Sequence, residues 1–227
     1  MASKAPEKPS RRTQVERSHA MRERLISATI CCLDRDGYAG TTFKSIVTEA
    51  DVSLGAPLHH FATKAALMEA AATRLIQRLY IELGKAFSGL ASSDNRLTEM
   101  IQIGWSTLFN QQETIALLEL TLASRRDTEL AEVMRKLGLA GFDMLDNAAK
   151  HYFVSRSSED PVSDYFVLTH WLIRGMTIDQ HLLSSSAAPD HYLRLWSGLL
   201  QGKVAVKPEV VAAPPKPKRW PSDKPSP

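Results

Sequence analysis

The sequence is short of the features that mark secreted, membrane-spanning and nucleotide-hydrolysing proteins. Among 227 residues there are only two cysteines, the adjacent pair Cys31 and Cys32. That excludes a disulfide framework and suits a reducing compartment. No long apolar run occurs: the longest stretch without Asp, Glu, Lys or Arg covers residues 100–112, thirteen positions interrupted by Gln102, Ser106 and Asn110. A membrane-spanning helix needs about 20 mostly apolar residues. The opening residues MASKAPEKPSRR lead into no apolar stretch, so no secretory signal is expected and a cytoplasmic location is. Neither a glycine-rich phosphate loop nor a His-Glu-x-x-His or Gly-x-Ser-x-Gly pattern appears. Nothing therefore recommends an enzyme, and no cofactor or metal site is expected. Between residues 15 and 202 the only prolines are Pro57, Pro161 and Pro189, and strand signals are few.

What is present is unevenly spread. The formal net charge of +3 hides net charges of +4 in residues 1–24 and +4 in residues 203–227, leaving −5 for the body between them. The ends also hold nine of the twelve prolines. From Lys203 the chain is rich in Pro, Lys and Ala, with too little apolar content to predict a fold.

The body reads as helical throughout. Met21, Leu25, Ala28, Thr29, Cys32 and Leu33 recur on one helical face, and Gly37 stands where that helix should stop. Thr42 is a good N-cap for a short helix carrying Phe43, Ile46, Val47 and Ala50. Asp51, Val52 and Ser53 form a tight turn, and Ser53 is placed to cap a third short helix reaching Phe61. A longer helix starts near Thr63, and others are expected over 95–110, 113–124, 127–154, 164–184 and 190–201. The fold class predicted is all-α: an N-terminal three-helix head, a larger helical domain and no sheet. The divisions expected are a basic disordered arm (1–14), the head (15–62), the larger domain (63–202) and a disordered tail (203–227).

Residues 42–61 carry the most chemistry. A short helix braced by Ile46 and Val47, a three- to four-residue turn and a second short helix make a helix-turn-helix arrangement. The second helix must be small and polar outside to enter a major groove about 12 Å wide. Gly55 and Ala56 permit close approach of backbone to DNA, and His59 and His60 can donate to phosphates.

These residues resemble the tetracycline-repressor (TetR) family of bacterial regulators. The likeness lies in Arg24-Leu25-Ile26, Thr41-Thr42, Glu49-Ala50-Asp51-Val52-Ser53, Gly55-Ala56, His59-His60-Phe61, Thr63-Lys64 and Ala66-Leu67, about 45 residues in all. The resemblance implies a DNA-binding head and a C-terminal domain that binds a small effector and forms a homodimer through its last two helices. Carried across, it makes Thr42, Lys44, Ser53, Leu54, Gly55, Ala56, Pro57, Leu58, His59, His60 and Lys64 the candidate contacts to a double-stranded operator, with Ser53 as the recognition-helix cap. Three positions depart from the family pattern. Asp51 replaces the usual turn Gly, Pro57 sits in the first turn of the third helix, and Leu58 replaces a Tyr that hydrogen-bonds a phosphate. Because Leu58 cannot donate, His59 or His60, or the arm with Arg11 and Arg12, is expected to take over that contact.

The effector pocket is expected among Trp105, Leu108, Phe109, Leu117, Leu118, Phe142, Trp171 and Met176, large side chains on apolar helix faces. Their shortage of charge favours an apolar or aromatic effector over a sugar phosphate. Ordinary core packing explains the same residues, as it does Cys32, His170 and His181. The dimer seam is expected at Trp171, Leu182, Leu193, Trp196 and Leu200. The function predicted is a dimeric repressor released from a palindromic operator by its effector. The rivals are an activator with the same head, and a helical ligand-binding protein or enzyme that ignores DNA.

Overall fold

Why the first helix begins where it does is visible at Thr13, in a computed structural model that describes residues 13–88, 95–109, 112–179, 182, 188–210, 212, 214 and 215. Its hydroxyl accepts from the Glu16 N–H at 3.2 Å while its own N–H donates to the Glu16 carboxylate at 2.7 Å. This reciprocal box satisfies two orphan donors and opens α1, Gln14–Gly40. The stripe Leu25, Ala28, Thr29, Cys32 and Leu33 is buried, as its spacing requires. Gly37 breaks the helix geometry with a φ of 66°.

Thr42 and Ser45 form a second capping box, and α2 runs Phe43–Ala50. It ends at Asp51, whose φ of 50° and ψ of 56° are left-handed. Asp tolerates that region better than most side chains do. Then come α3, Ala56–His60, and α4, Lys64–Ser88. Ile46 and Ala50 of α2 close against Leu25 and Leu33 of α1, and Leu67, Met68, Ala71 and Leu75 of α4 complete this first core.

The rest of the chain comprises α5 (Arg96–Ile103), a π-helical turn (Gly104–Phe109), α6 (Gln112–Ala123), α7 (Thr128–Tyr152), α8 (Val162–Asp179) and α9 (Ala188–Gln201). The helix expected over 95–110 thus changes its winding at Gly104. Leu97, Ile101, Trp105, Tyr152, Phe153, Ile173 and Leu193 form a second core at the far end. Among the described residues, no helix is long and apolar enough to cross a membrane.

Two expectations fail here. The first is the absence of any sheet. β1 (Phe153–Ser155) and β2 (Val204–Val206) pair antiparallel, Phe153 opposite Val206 and Ser155 opposite Val204. The second is disorder from Lys203 onward. Val204 is buried, the buried Arg96 donates to the carbonyls of Lys207 and Val210 at 3.0 and 3.2 Å, and the Tyr152 hydroxyl donates to that of Ala212 at 3.1 Å. The ladder and the Lys207 N–H, which donates to the Tyr152 carbonyl at 2.8 Å, hold the strand. Beyond it Pro208, Pro214 and Pro215 lack an N–H, and arginine and tyrosine side chains donate to the carbonyls. The alternation Val204-Ala205-Val206 was the readable sign of a strand. Residues 216–227 lie outside the described residues.

Candidate nucleic-acid interface and effector cavity

The helix-turn-helix is held against α1 by two arginines that sequence reasoning passed over as contacts. The Arg22 guanidinium lies 4.3 Å from the centre of the Phe61 ring and donates to the His60 carbonyl at 2.7 Å, fastening the C-terminal end of α3. Arg24 reaches the Asp51 carboxylate at 3.4 Å beside the turn. Arg24 stands in the Arg24-Leu25-Ile26 stretch, which carries sequence likeness only, and Arg22 stands in no motif, so no local signal marks either as a brace of the turn.

The candidate DNA contacts fall into three groups. Thr42, Lys44, Ser53, Leu54, Gly55 and His59 are exposed together on the outer edge of α2, the turn and α3. A Cβ built on Gly55 meets nothing within 4 Å, which leaves its backbone open to approach. Pro57 is buried, so the groove-facing place expected for it is corrected: the proline at the start of this five-residue helix turns inward. Ser53 does not cap α3 either. The helix starts two residues later, with Gly55 at the N-cap and no side-chain cap bond, because Pro57 sets the first turn. The side chains of Ala56 and Leu58, and Arg11 and Arg12 of the arm, lie outside the described residues.

His60 is half-buried, and burial first, then the charges of Arg22 and His59, pushes its imidazole pKa down, so it is neutral at pH 7. Lys64 opens α4 as expected. Its ammonium, however, lies 4.2 Å above the Tyr38 ring and donates to the Tyr38 carbonyl at 3.3 Å. Burial lowers its pKa. It ties the head to itself rather than reaching into solvent.

Tyr38 is the hub of that tie. Its N–H donates to Glu119 of α6 at 3.1 Å and its hydroxyl to Asp127 at 2.6 Å. Burial, and then the neighbouring Asp127, pushes the phenol up to about 12. Asp127 also accepts from the Leu130 N–H at 3.0 Å as the cap of α7. The break at Gly37 brings the chain close to α6, since a Cβ there would stand 2.9 Å from the Glu119 carboxylate.

Glu119 projects from the same helix that walls an internal cavity of about 280 Å³, toward which α6 turns Leu117, Leu118 and Thr121. Phe142, Phe166 and Tyr80 supply rings to its wall. Of the pocket residues expected, Leu117, Leu118 and Phe142 are brought together there. Trp105, Trp171 and Met176 are not. Trp105 is buried in the second core, because the π-helical turn rotates it away from the cavity side occupied by Gly104. Trp171 is 56% exposed, as α8 meets the cavity with Phe166, Thr169, His170, Ile173 and Arg174 and so turns position 171 outward. Met176 packs against the second core. The side chains of Leu108 and Phe109 lie outside the described residues.

The residues expected at a dimer seam also divide. Leu193 and Leu200 are buried within the chain, and the Trp196 indole donates to Thr169 at 2.9 Å, so these three face inward. The outward apolar positions are Leu168, Trp171, Leu172 and Ile178 on α8, and Leu195 and Leu199 on α9, with Leu182 exposed between the helices. The register of α9 is therefore rotated from the one expected. Cys32 is buried and its thiol pushed up by that burial, while Cys31 is exposed. No group of three or more His, Cys, Asp or Glu among the described residues is placed to hold a metal.

A helix-turn-helix head is thus braced on a helical body that holds a cavity. Residues 25–71 match the model for bacterial regulatory proteins of the tetR family. The regulator CymR of Pseudomonas putida is 28% identical over 75% of this chain and 84% of its own length. The nicotine-responsive transcriptional repressor HdnoR of Paenarthrobacter nicotinovorans is 27% identical over 50% of this chain and 59% of its own. Among solved structures, a transcriptional regulator from Rhodococcus sp. Rha1 shares the fold with a TM-score of 0.64 at 21% identity, over 80% of this chain and 97% of the other. The chain is thus similar to transcriptional regulators of the TetR family, and the likeness to the family model lies in its helix-turn-helix head.

Proposed function

We propose that the protein is a homodimeric repressor that grips a palindromic operator and lets go when a small effector fills the cavity. The observation that carries this reading is the double duty of α6. Leu117, Leu118 and Thr121 face the cavity while Glu119 holds Tyr38 at the base of the head. An occupant that displaces α6 changes the spacing of the two heads, and a few kcal/mol of differential affinity suffices to empty the operator. The name of the nicotine-responsive relative supports repression over activation.

In this reading Thr42, Lys44, Ser53, Leu54, Gly55, Ala56, Leu58 and His59 meet the DNA, and Arg11 and Arg12 follow the phosphates. His59, exposed where His60 is not, replaces the missing tyrosine contact. Lys64 serves as the brace of the head. The exposed apolar faces of α8 and α9 pair across a two-fold axis, since apolar residues of this size seldom stand together in solvent on a monomer. The two recognition helices then stand about 34–36 Å apart, or a multiple of that.

A gel shift on DNA upstream of the protein's own gene tests this. Binding that weakens steeply with salt is expected, each neutralised phosphate contributing about −0.9 to the logarithmic slope. Salt-independent binding, or none, would sink the reading.

A further inference from the structure

The cavity wall is apolar save for a few groups, and two of these stand one turn apart on α8: His170 and Arg174. Arg174 is partly buried, and no Asp or Glu lines the cavity among the described residues. Burial alone drags the guanidinium pKa down, with no carboxylate nearby to offset it. A cation partly removed from water in this way is stabilised when an anion joins it. His170 sits against Phe142 with ring centres 6.3 Å apart, and burial, then Arg174, drops its pKa to about 4. It is neutral at pH 7, so the site offers one positive charge and not two.

We propose that the cavity binds a small apolar monocarboxylate of about one aromatic ring in size, its carboxylate gripped by the Arg174 fork and its ring packed among Phe142, Phe166 and Leu118. This rests on the ligand-responsive reading above and names the chemistry of the ligand. A planar guanidinium matches a carboxylate with two parallel hydrogen bonds, which fixes orientation as well as charge. An apolar cavity of about 150 Å³ admits benzene. The roughly 280 Å³ here holds a ring with a short acidic arm. A cationic ligand would be repelled by Arg174.

Calorimetric titration of the full chain with phenylacetate and 3-phenylpropanoate, each against its amide, tests the assignment. The acids are expected to bind, and the amides to bind about tenfold or more weakly, the difference a charge-assisted pair makes. Arg174→Met should erase the preference for acid over amide and leave the melting temperature equal or higher, because it removes an unpaired buried charge. If that variant fails to fold, Arg174→Lys, which keeps the charge without the fork, should retain a reduced preference. Amides that match the acids, a preference that survives Arg174→Met, or no binding by either acid overturns the proposal. A gel shift on the same preparations separates the two readings. Release from DNA by an amide alone would remove the acid assignment and leave effector release standing. Absence of DNA binding would remove the regulator's operator and leave the calorimetry standing.

Discussion

Gly37 is the residue on which the head's connection to the body turns. Its φ of 66° lies in the left-handed region, and the space a side chain would take belongs to the Glu119 carboxylate. Gly37→Ala therefore meets backbone strain and a contact at once. A loss of about 1–2 kcal/mol is expected from the backbone alone, visible in urea denaturation as a lower midpoint with an unchanged slope. Asp127 makes the neighbouring prediction. Its N-cap bond to Leu130 first, and then the Tyr38 hydroxyl, hold its carboxyl below the usual range. A folded value below the unfolded one adds stability that is complete above the ordinary carboxylate pKa of about 4 and is lost as pH falls through the folded value. Asp127→Asn, which can still cap, is expected to retain most stability at pH 7 and to flatten the decline measured as pH falls below about 4.

At the scale of elements, α2 and α3 work as a pair. α2 is fixed by its box and its buried Ile46 and Val47, whereas α3 has five residues, no side-chain cap, and Arg22 on its last carbonyl. The exposed Lys44 on α2 is a phosphate contact in the proposed complex. Lys44→Ala should weaken operator binding about equally for matched and mismatched sequences and reduce the salt slope by about one charge. A change of sequence preference in a binding titration would contradict this.

The elements of the head were legible because capping residues and 3.6-residue periodicity act locally. Thr42, the left-handed Asp51 and the α1 stripe all stand where local rules put them. The cavity was less legible, because apolar residues on helices read alike whether they face a void, a core or solvent. Trp105 went to the core through a π-helical turn that propensity does not announce, and Leu193 and Leu200 lie a fraction of a turn from the exposed face of α9. Arg174 had no local signal, since its meaning comes from the apolar walls of other helices.

For the whole molecule, the distribution of charge and of exposed apolar surface sets the orientation on DNA. Residues 1–24 carry a net charge of +4 and precede the helix-turn-helix in sequence, and residues 25–202, which include it, carry −5. In the proposed dimer, joined through α8 and α9, the attraction of the basic arm for phosphates is doubled. Trp171, 56% exposed on the apolar face of α8, should sit in the seam. Trp171→Arg is expected to halve the mass measured by light scattering at micromolar concentration, and to cost operator affinity because two linked heads become two separate ones. A wild-type protein already monomeric under those conditions would refute the arrangement.

Pro214 borders the cavity, while the segment leading to it is pinned through β2 and through Arg96 and Tyr152. The chain end is thus a gauge of what the cavity contains. Digestion rates follow how often a segment opens far enough to enter a protease cleft, and the Lys203–Val204 bond lies at the edge of the ribbon. An occupied cavity should slow tryptic cleavage at that bond, read by mass spectrometry over a time course. A ligand that empties the operator without changing that clock would have to act from somewhere else.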